Sequence, residues 1–366
     1  MNHYISERQA VIWFTMYYVG SSILIIPSTL ASVAKQDASL SALLALGLNL
    51  AILPMLVLIG KRMQGKSVAF YMGKLIGKWP SKVLLLLFLA GFPFLIFALT
   101  LKNLGDFLTS YIIPDTPIAA VHIVFLAAVI YGVRQGVEGL GRAAEILMPF
   151  AVVMFLFLIL SLMPEFHLYN LEPFLEFGVK PIIRAAVPFW AFPFMEPILF
   201  LFLIPSLAPS ASLKNVFVKS SLITGITIFV VTLITIGLMG ASLTTNLTYS
   251  TYFISKTIGI VEFFERIEVV IALVWFITIY FRLALLFHVC CQGMADVLGL
   301  KDFRLLLIPI GALSLPTANI LLPNATYLYE FIGVWPSYAM LFGIVVPLGM
   351  LAAHYVRSRM SGQAGG

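Results

Sequence analysis

Charged residues and cysteines are both scarce in this sequence. Asp, Glu, Lys and Arg together make up only 10% of the 366 residues, whereas soluble domains carry about a quarter. Because 61% of the residues are hydrophobic and the mean hydropathy is +1.04, the chain has too little polar surface for a water-soluble domain. The two cysteines, Cys290 and Cys291, are adjacent, which excludes a disulfide framework and a cysteine metal cluster. Lipid is therefore the expected solvent.

Signatures of catalysis and of nucleic-acid binding are also missing. The sequence has no nucleophile elbow, phosphate loop, nucleotide-binding fingerprint or HExxH pattern. Its histidines are scattered singly, without the spacing of metal ligands. The net charge of +6 does not come from one basic patch. We therefore expect no enzyme, no metal or other cofactor, and no nucleic-acid partner.

Long apolar runs are what the chain does contain, and they predict an all-α integral membrane protein. A bilayer core about 30 Å thick needs roughly 20 apolar residues of helix. We predict one polytopic membrane domain over residues 1–366 with ten transmembrane helices. They lie at about residues 9–34, 40–60, 83–108, 118–133, 144–163, 182–203, 216–239, 269–289, 305–322 and 332–356.

The distribution of basic residues predicts how these helices are oriented. With the N-terminus in the cytoplasm, 15 of the Lys and Arg residues fall on the cytoplasmic side and six on the opposite side. This bias follows the positive-inside rule and predicts that both termini are cytoplasmic. The segment 64–82 places apolar residues at helical spacing among lysines. It is either an amphipathic helix on the anionic leaflet or a simple basic loop.

The predicted helices divide into two halves of five, at about residues 9–163 and 182–356. An odd number of spans gives the halves opposite orientations, which is the arrangement of transporters with a 5+5 inverted repeat. In such proteins the first helix of each half is broken, so helices 1 and 6 are the ones expected to be interrupted. Both helices contain residues that interrupt a helix. The first has Gly20, Ser21, Ser22 and Pro27. The second has Pro188, Pro193 and Pro197, with Ala191 among them.

A broken helix at mid-membrane leaves peptide groups that lipid cannot satisfy. An amino acid suits such a gap, because its carboxylate can face helix N-termini and its ammonium can face carbonyl groups. Phe192, beside Ala191, is a candidate to line this pocket. The alternative is that Gly and Pro only kink closely packed helices.

Two charges inside predicted spans give a second indication of a site. Glu196 lies within the interrupted part of helix 6, and Arg282 lies near the middle of helix 8. An unpaired charge there is costly, and a guanidinium group cannot lose its proton. One hypothesis is that Arg282 meets Glu196, or a ligand carboxylate, beside the interrupted helices. The alternative is a structural ion pair that fixes helix packing.

Several segments resemble the endospore germination permease family, the B subunits of nutrient germinant receptors in spore-forming bacteria. These segments are Ile5-Ser6-Glu7-Arg8-Gln9, residues 20–27, and the loop from Gly65-Lys66-Ser67-Val68 to Lys78-Trp79. The length and the ten-helix plan are similar over the whole chain.

This resemblance implies the LeuT-like fold of the amino acid/polyamine/organocation transporter superfamily. It implies a germinant sensor in the spore inner membrane, with termini on the core side and with an A-type membrane subunit and a C-type lipoprotein as partners. The implied ligand is an amino acid, a sugar or a nucleoside. In transporters of similar fold helix 8 packs against helix 1, so Thr278, four residues before Arg282 and on the same helical face, becomes a candidate ligand contact.

Three functions remain open at this stage. In the first, the protein is a sensor that binds a germinant at mid-membrane and signals to partner subunits. Alternatively, it is a secondary transporter that moves an amino acid with H⁺ or Na⁺. The third possibility is an assembly scaffold with a vestigial pocket. Alternating access and receptor signalling use the same structural parts, so the sequence does not separate them.

Overall fold

A computed structural model describes residues 4–257, 268–321 and 325–363. These residues are almost entirely helical. Among them β pairing is limited to one isolated parallel bridge between Ile5 and Leu207. The prediction of an all-α protein is therefore confirmed for the described part of the chain.

Fifteen α-helices make up this part of the fold. They are α1 Glu7–Ser22, α2 Ile26–Ala34, α3 Ala38–Met63, α4 Val68–Ile76, α5 Lys78–Leu89, α6 Leu95–Tyr111, α7 Ile118–Arg134, α8 Gly136–Leu162, α9 Val179–Ala191, α10 Leu213–Thr245, α11 Ser250–Thr257, α12 Glu268–Leu298, α13 Leu307–Leu321, α14 Ala325–Met340 and α15 Val346–Gln363. Single π-helical turns join α5 to α6 and α14 to α15, and a ten-residue 3₁₀ helix covers Pro197–Ser206.

Seven helical segments of the described residues are long and apolar enough to cross a membrane. The segments are Ile26–Met63, Lys78–Tyr111, Gly136–Glu165, Leu213–Thr245, Val269–Leu298, Phe303–Leu321 and Gly333–Arg359. The chain is thus a multi-pass membrane protein. Apolar helices that are shorter, such as Ile118–Arg134, fall outside this number. The count of ten spans stays a prediction.

The first helix is fixed at its start by local capping and by distant partners. The Ser6 hydroxyl accepts from the Gln9 backbone N–H while the Gln9 side chain accepts from the Ser6 N–H, a reciprocal capping box. Glu7 accepts from the Ser212 N–H at 3.0 Å and pairs with Lys219 at 3.0 Å, both near the start of α10. The N-terminal end of α1 is therefore bound to the N-terminal end of α10.

The basic segment after α3 contains the helix α4, so a helix is present within residues 64–82 as one of the two interpretations expects. Its position on the anionic leaflet stays a prediction. Ser67 caps α4 by accepting from the Phe70 N–H. Gly77, with φ of +93°, ends α4 and turns the chain into α5, a backbone conformation that favours glycine. Tyr71 and Leu75 are buried on one side of α4, whereas Phe70 and Lys74 are exposed on the other.

The centre of the molecule is α1, which packs against α10 and α12. Its aromatic side chains Trp13, Phe14 and Tyr17 are completely buried there. The second interrupted segment, α9 followed by the 3₁₀ helix, packs against α3. Both interruptions are therefore enclosed by protein rather than exposed at the lipid surface.

Candidate functional site

The first interruption separates α1 from α2 at Ile23, Leu24 and Ile25. Helix α1 ends at Ser22 and α2 begins at Ile26, with Pro27 in its first turn. Proline is suited to this position because it has no N–H to leave unpaired. The predicted break is present, but it begins after Gly20 and Ser22. Those two residues and the backbone of Ser21 lie in the last turn of α1.

The second interruption covers residues 192–196, between α9 and the 3₁₀ helix. Helix α9 ends at Ala191, which is fully buried. Pro193 lies within the interruption and Pro197 directly follows it, and proline cannot donate the backbone hydrogen bond that would continue a helix. This interruption falls where the sequence predicts it. Its last residue is Glu196.

Glu196 and Arg282 form a two-pronged ion pair beside this interruption. Arg282 Nη1 donates to Glu196 Oε2 at 2.8 Å, and Nη2 donates to Oε1 at 3.0 Å. The Tyr17 hydroxyl donates to the same carboxylate at 2.6 Å, and Arg282 Nε donates to Thr100 Oγ1 at 3.3 Å. The side chains of Glu196, Arg282 and Tyr17 are fully buried. The contact between Arg282 and Glu196, one of the pairings that the sequence left open, is thus present.

Aromatic rings cover the guanidinium group. The Arg282 Cζ atom lies 4.6 Å from the Tyr17 ring centre and 5.0 Å from the Phe192 ring centre. Cation–π contacts of this kind are strongest when the cation is desolvated. Phe192, a predicted pocket residue, therefore contacts the charged centre of the site directly, and Ala191 is its chain neighbour.

Gly20 marks the closest approach of α1 to α12. A Cβ atom added at Gly20 would lie 2.6 Å from the backbone carbonyl of Thr278 and 2.7 Å from the Ile279 nitrogen. Only glycine fits against another helix backbone at this distance. The Thr278 hydroxyl donates within its own helix, to Val274 O at 2.9 Å. Gly20 and Thr278 therefore meet, but through their backbones.

Side chains of the protein satisfy carbonyl groups at the first interruption. Trp275 Nε1 donates to Gly20 O at 2.9 Å, and the Thr251 hydroxyl donates to Ile23 O at 2.9 Å. Ser28 and Thr29 donate to Ile25 O at 2.8 and 3.1 Å. The expectation of bare peptide groups is therefore wrong for these three carbonyls.

Tyr17 and Thr100 are the site residues that sequence reasoning missed. Tyr17 lies three residues before Gly20 in the interrupted helix. The sequence could therefore have indicated it as a hydroxyl group close to the break. Thr100 gives no such signal, because only the packing of α6 on α12 brings it to Arg282. Arg282 and Glu196 come together with Tyr17 and Phe192, whereas Gly20 and Thr278 form the adjoining α1–α12 contact. The Ser22 hydroxyl donates within its own helix, to Tyr18 O.

A second buried polar group lies where α3 packs on α10. Asn49 Nδ2 donates to Ser221 Oγ at 2.8 Å, and both residues are fully buried. The hydroxyl groups of Tyr18 and Thr224 and the Asn49 Oδ1 atom have no hydrogen-bond partner in the described part of the chain. Tyr18 also stacks edge-on against Tyr17. The polar centre of the protein thus extends from the ion pair toward α3 and α10.

Comparison with known proteins places the chain in a family. A family model described as "Spore germination protein" matches residues 4–322. Spore germination protein KB of Bacillus subtilis strain 168 is 27% identical over 351 residues, which cover 94% of this chain and 92% of that protein. Spore germination protein YndE of the same organism is 22% identical over 313 residues, which cover 84% of this chain and 85% of that protein. The chain belongs to the spore germination permease family.

Proposed function

We propose that this protein is the B subunit of a spore germinant receptor and that it binds a small nutrient germinant at mid-membrane. The germinant is an amino acid in this proposal, with sugars and nucleosides as the other classes to test. One observation carries it: the buried Glu196–Arg282 pair lies beside the interruption at residues 192–196, with Tyr17 from the other interrupted helix on the same carboxylate. Charged side chains inside a membrane are costly. They face the interior of the helix bundle, where they mark the binding sites and pathways of substrates and ions.

The chemistry of the site suits a zwitterion. A ligand carboxylate can replace Glu196 on the Arg282 guanidinium, which binds a carboxylate through two parallel hydrogen bonds. The ligand ammonium can then pair with the released Glu196. Tyr17 and Phe192 would cover the ligand, and Ala191, Gly20, Ser22 and Thr278 would form the rest of the pocket wall. The side chain of the predicted residue Ser21 lies outside the described part of the chain.

The packing of four helices supports the inverted repeat that we propose for the two halves of five spans. Exchanging the halves relates α1 to α9 and α3 to α10. The contact of α1 with α10 then corresponds to the contact of α9 with α3, and both contacts occur. The α3–α10 contact corresponds to itself and is extensive. A symmetric pair of interfaces of this kind is expected of inverted repeats.

Signalling follows from the burial of the site. Because Glu196, Arg282 and Tyr17 are inaccessible, a ligand reaches them only when the surrounding helices separate, so ligand entry changes the helix arrangement. We infer that this change passes to an A-type membrane subunit and a C-type lipoprotein in the spore inner membrane, with both termini on the core side. The protein itself has no catalytic role in this scheme.

A transporter that couples an amino acid to H⁺ or Na⁺ is the second candidate. The buried Glu196 carboxylate favours it, since such groups recur in proton relays of pumps and transporters. The two candidates differ in whether the ligand crosses the membrane. Uptake of labelled amino acid into liposomes that contain this subunit alone would therefore support the transporter.

A ligand screen on the purified protein tests the binding proposal. A ligand at 100 times its Kd stabilises the folded state by about 2.7 kcal/mol, which a thermal-unfolding assay detects. We expect at least one amino acid to raise the Tm of the wild type and to leave Arg282→Lys unaffected, because lysine cannot form the two-pronged contact. Tyr18→Phe is the control, since it removes a neighbouring buried hydroxyl without touching the pair. A Tm rise of equal size in Arg282→Lys would refute the site.

A further inference from the structure

An apolar groove of about 470 Å³ lies below α4, between α5, the 3₁₀ helix and α15. This volume is in the range of about 300–1,000 Å³ that is usual for small-molecule sites. Every lining residue is apolar; representative ones are Leu75, Leu84, Phe88, Phe202, Phe342 and Met350. Leu84 and Leu87 are 50% and 65% exposed. The groove therefore opens on the lipid-facing surface of the protein.

A basic crevice of about 550 Å³ lies next to this groove, between α4, the start of α5 and the end of α12. Lys74, Lys78 and Lys82 line it together with the hydroxyl groups of Ser67 and Ser81. None of the three lysines forms an ion pair with another described residue. The crevice thus gathers three lysines, none of which is in an ion pair within the described part of the chain.

One acidic residue, Asp296, also lines the crevice, but it forms no ion pair with Lys74, Lys78 or Lys82. Asp296 accepts a hydrogen bond from Gln292 Nε2 at 2.8 Å, within its own helix. Leu85 lines both the crevice and the groove, which lie on adjacent faces of α5. The crevice is at the start of α5, and the groove follows deeper along the same helix. Trp79, 78% exposed at this start, has the character of an aromatic residue at the membrane interface.

We propose that the crevice and the groove together bind one anionic phospholipid of the leaflet on which α4 lies. The lipid phosphate occupies the crevice among Lys74, Lys78 and Lys82, and an acyl chain passes Leu85 into the groove. The charge of the crevice selects an anionic headgroup, and the continuity with an apolar groove selects a lipid over a free anion. This site is separate from the germinant site and does not depend on the proposed function.

Native mass spectrometry of the full chain in a neutral detergent tests this proposal. The protein is mixed with equal amounts of phosphatidylglycerol and phosphatidylcholine of the same chain length. A basic residue near an anionic surface strengthens binding about fivefold, so we expect phosphatidylglycerol to be retained at least about tenfold over phosphatidylcholine. Equal retention of the two lipids would overturn the proposal. Inorganic phosphate that raises the Tm as much as phosphatidylglycerol would overturn it too, in favour of a free-anion site.

Charge variants test the headgroup contact. The triple variant Lys74→Gln, Lys78→Gln and Lys82→Gln is expected to lose the preference for phosphatidylglycerol. The matched control changes three lysines elsewhere on the chain that likewise lack an ion pair among the described residues, Lys61, Lys180 and Lys214, to glutamine. A preference that persists in the first variant, or that disappears equally in the control, would refute the headgroup site.

A groove-filling variant tests the acyl-chain contact. Gly349 lines the groove, and a Cβ atom added there has no neighbour within 4 Å. Gly349→Leu is therefore expected to fold and to reduce retention of both lipids severalfold. Gly47→Leu is the control, because Gly47 has equally open surroundings on α3. Full lipid retention by Gly349→Leu would show that no acyl chain occupies the groove.

Discussion

The Glu196–Arg282 pair can be removed in two ways that differ sharply in energy. Arg282→Met leaves a fully buried carboxylate whose remaining hydrogen-bond donor among the described residues is Tyr17. Glu196→Leu leaves a buried guanidinium with Thr100. Breaking a buried pair by removing one partner costs about 3–5 kcal/mol. Each single variant is therefore expected to lose that amount of unfolding free energy and to accumulate poorly in the membrane.

The double variant Glu196→Leu/Arg282→Met removes both charges together. Replacing a buried pair with apolar side chains of similar volume is often neutral. The Tyr17 hydroxyl then loses its acceptor, which costs about 1–3 kcal/mol. We expect the double variant to lie about 1–3 kcal/mol below the wild type, whereas independent effects would add to about 6–10 kcal/mol from the same single costs.

Unfolding in SDS titrations of all four proteins measures this cycle. A double variant that is more stable than either single variant would agree with the prediction and would show that the two charges stabilise each other. Strict additivity of the two single losses would refute the reasoning, because the charges would then not interact.

Three further predictions concern individual contacts. Tyr17→Phe is expected to lose about 1.5–3 kcal/mol of unfolding free energy, because its hydroxyl donates to a carboxylate, and Tyr18→Phe to lose less; equal losses in the same titrations would contradict this. Gly20→Ala is expected to lose at least about 1–3 kcal/mol through overpacking against α12, unlike Gly47→Ala, which has open surroundings; an equal Tm for both would contradict it. The Ser212 N–H and then Lys219 lower the pKa of Glu7 below its ordinary 4.5, so its stabilising effect is present above about pH 4.5 and disappears as the pH falls through the lowered pKa. The Tm difference between wild type and Glu7→Gln is expected to shrink on acidification, and a constant difference would contradict this.

The helix interruptions could be predicted from the sequence because their causes are local. Pro193 and Pro197 remove backbone donors, so the second break falls within the predicted stretch. The first break begins later than the residues Gly20 to Ser22 indicate. Glycine has two uses, flexibility and close helix packing, and Gly20 serves the second by lying against the Thr278 backbone. The sequence of one helix does not show which use applies.

The charged centre of the site could be predicted in part. Burial alone required partners for Glu196 and Arg282, and each is the other's partner. Thr100, which accepts a hydrogen bond from Arg282 Nε, comes from a helix remote in sequence, and its position depends on how α6 and α12 pack. Tertiary contacts likewise decide which side chains donate to the carbonyl groups of a broken helix. The number of peptide groups that stay free to bind a ligand is therefore smaller than the sequence alone indicates.

Equilibrium binding of a labelled amino acid, selected by the thermal screen, tests the central claim most directly. The comparison is between the wild type and the folded double variant Glu196→Leu/Arg282→Met, in the same detergent and at matched protein concentration. If the ion pair beside the interruption is the ligand-binding centre, the wild type binds saturably and the double variant does not. Binding by the double variant with an affinity within twofold of the wild type would contradict the account.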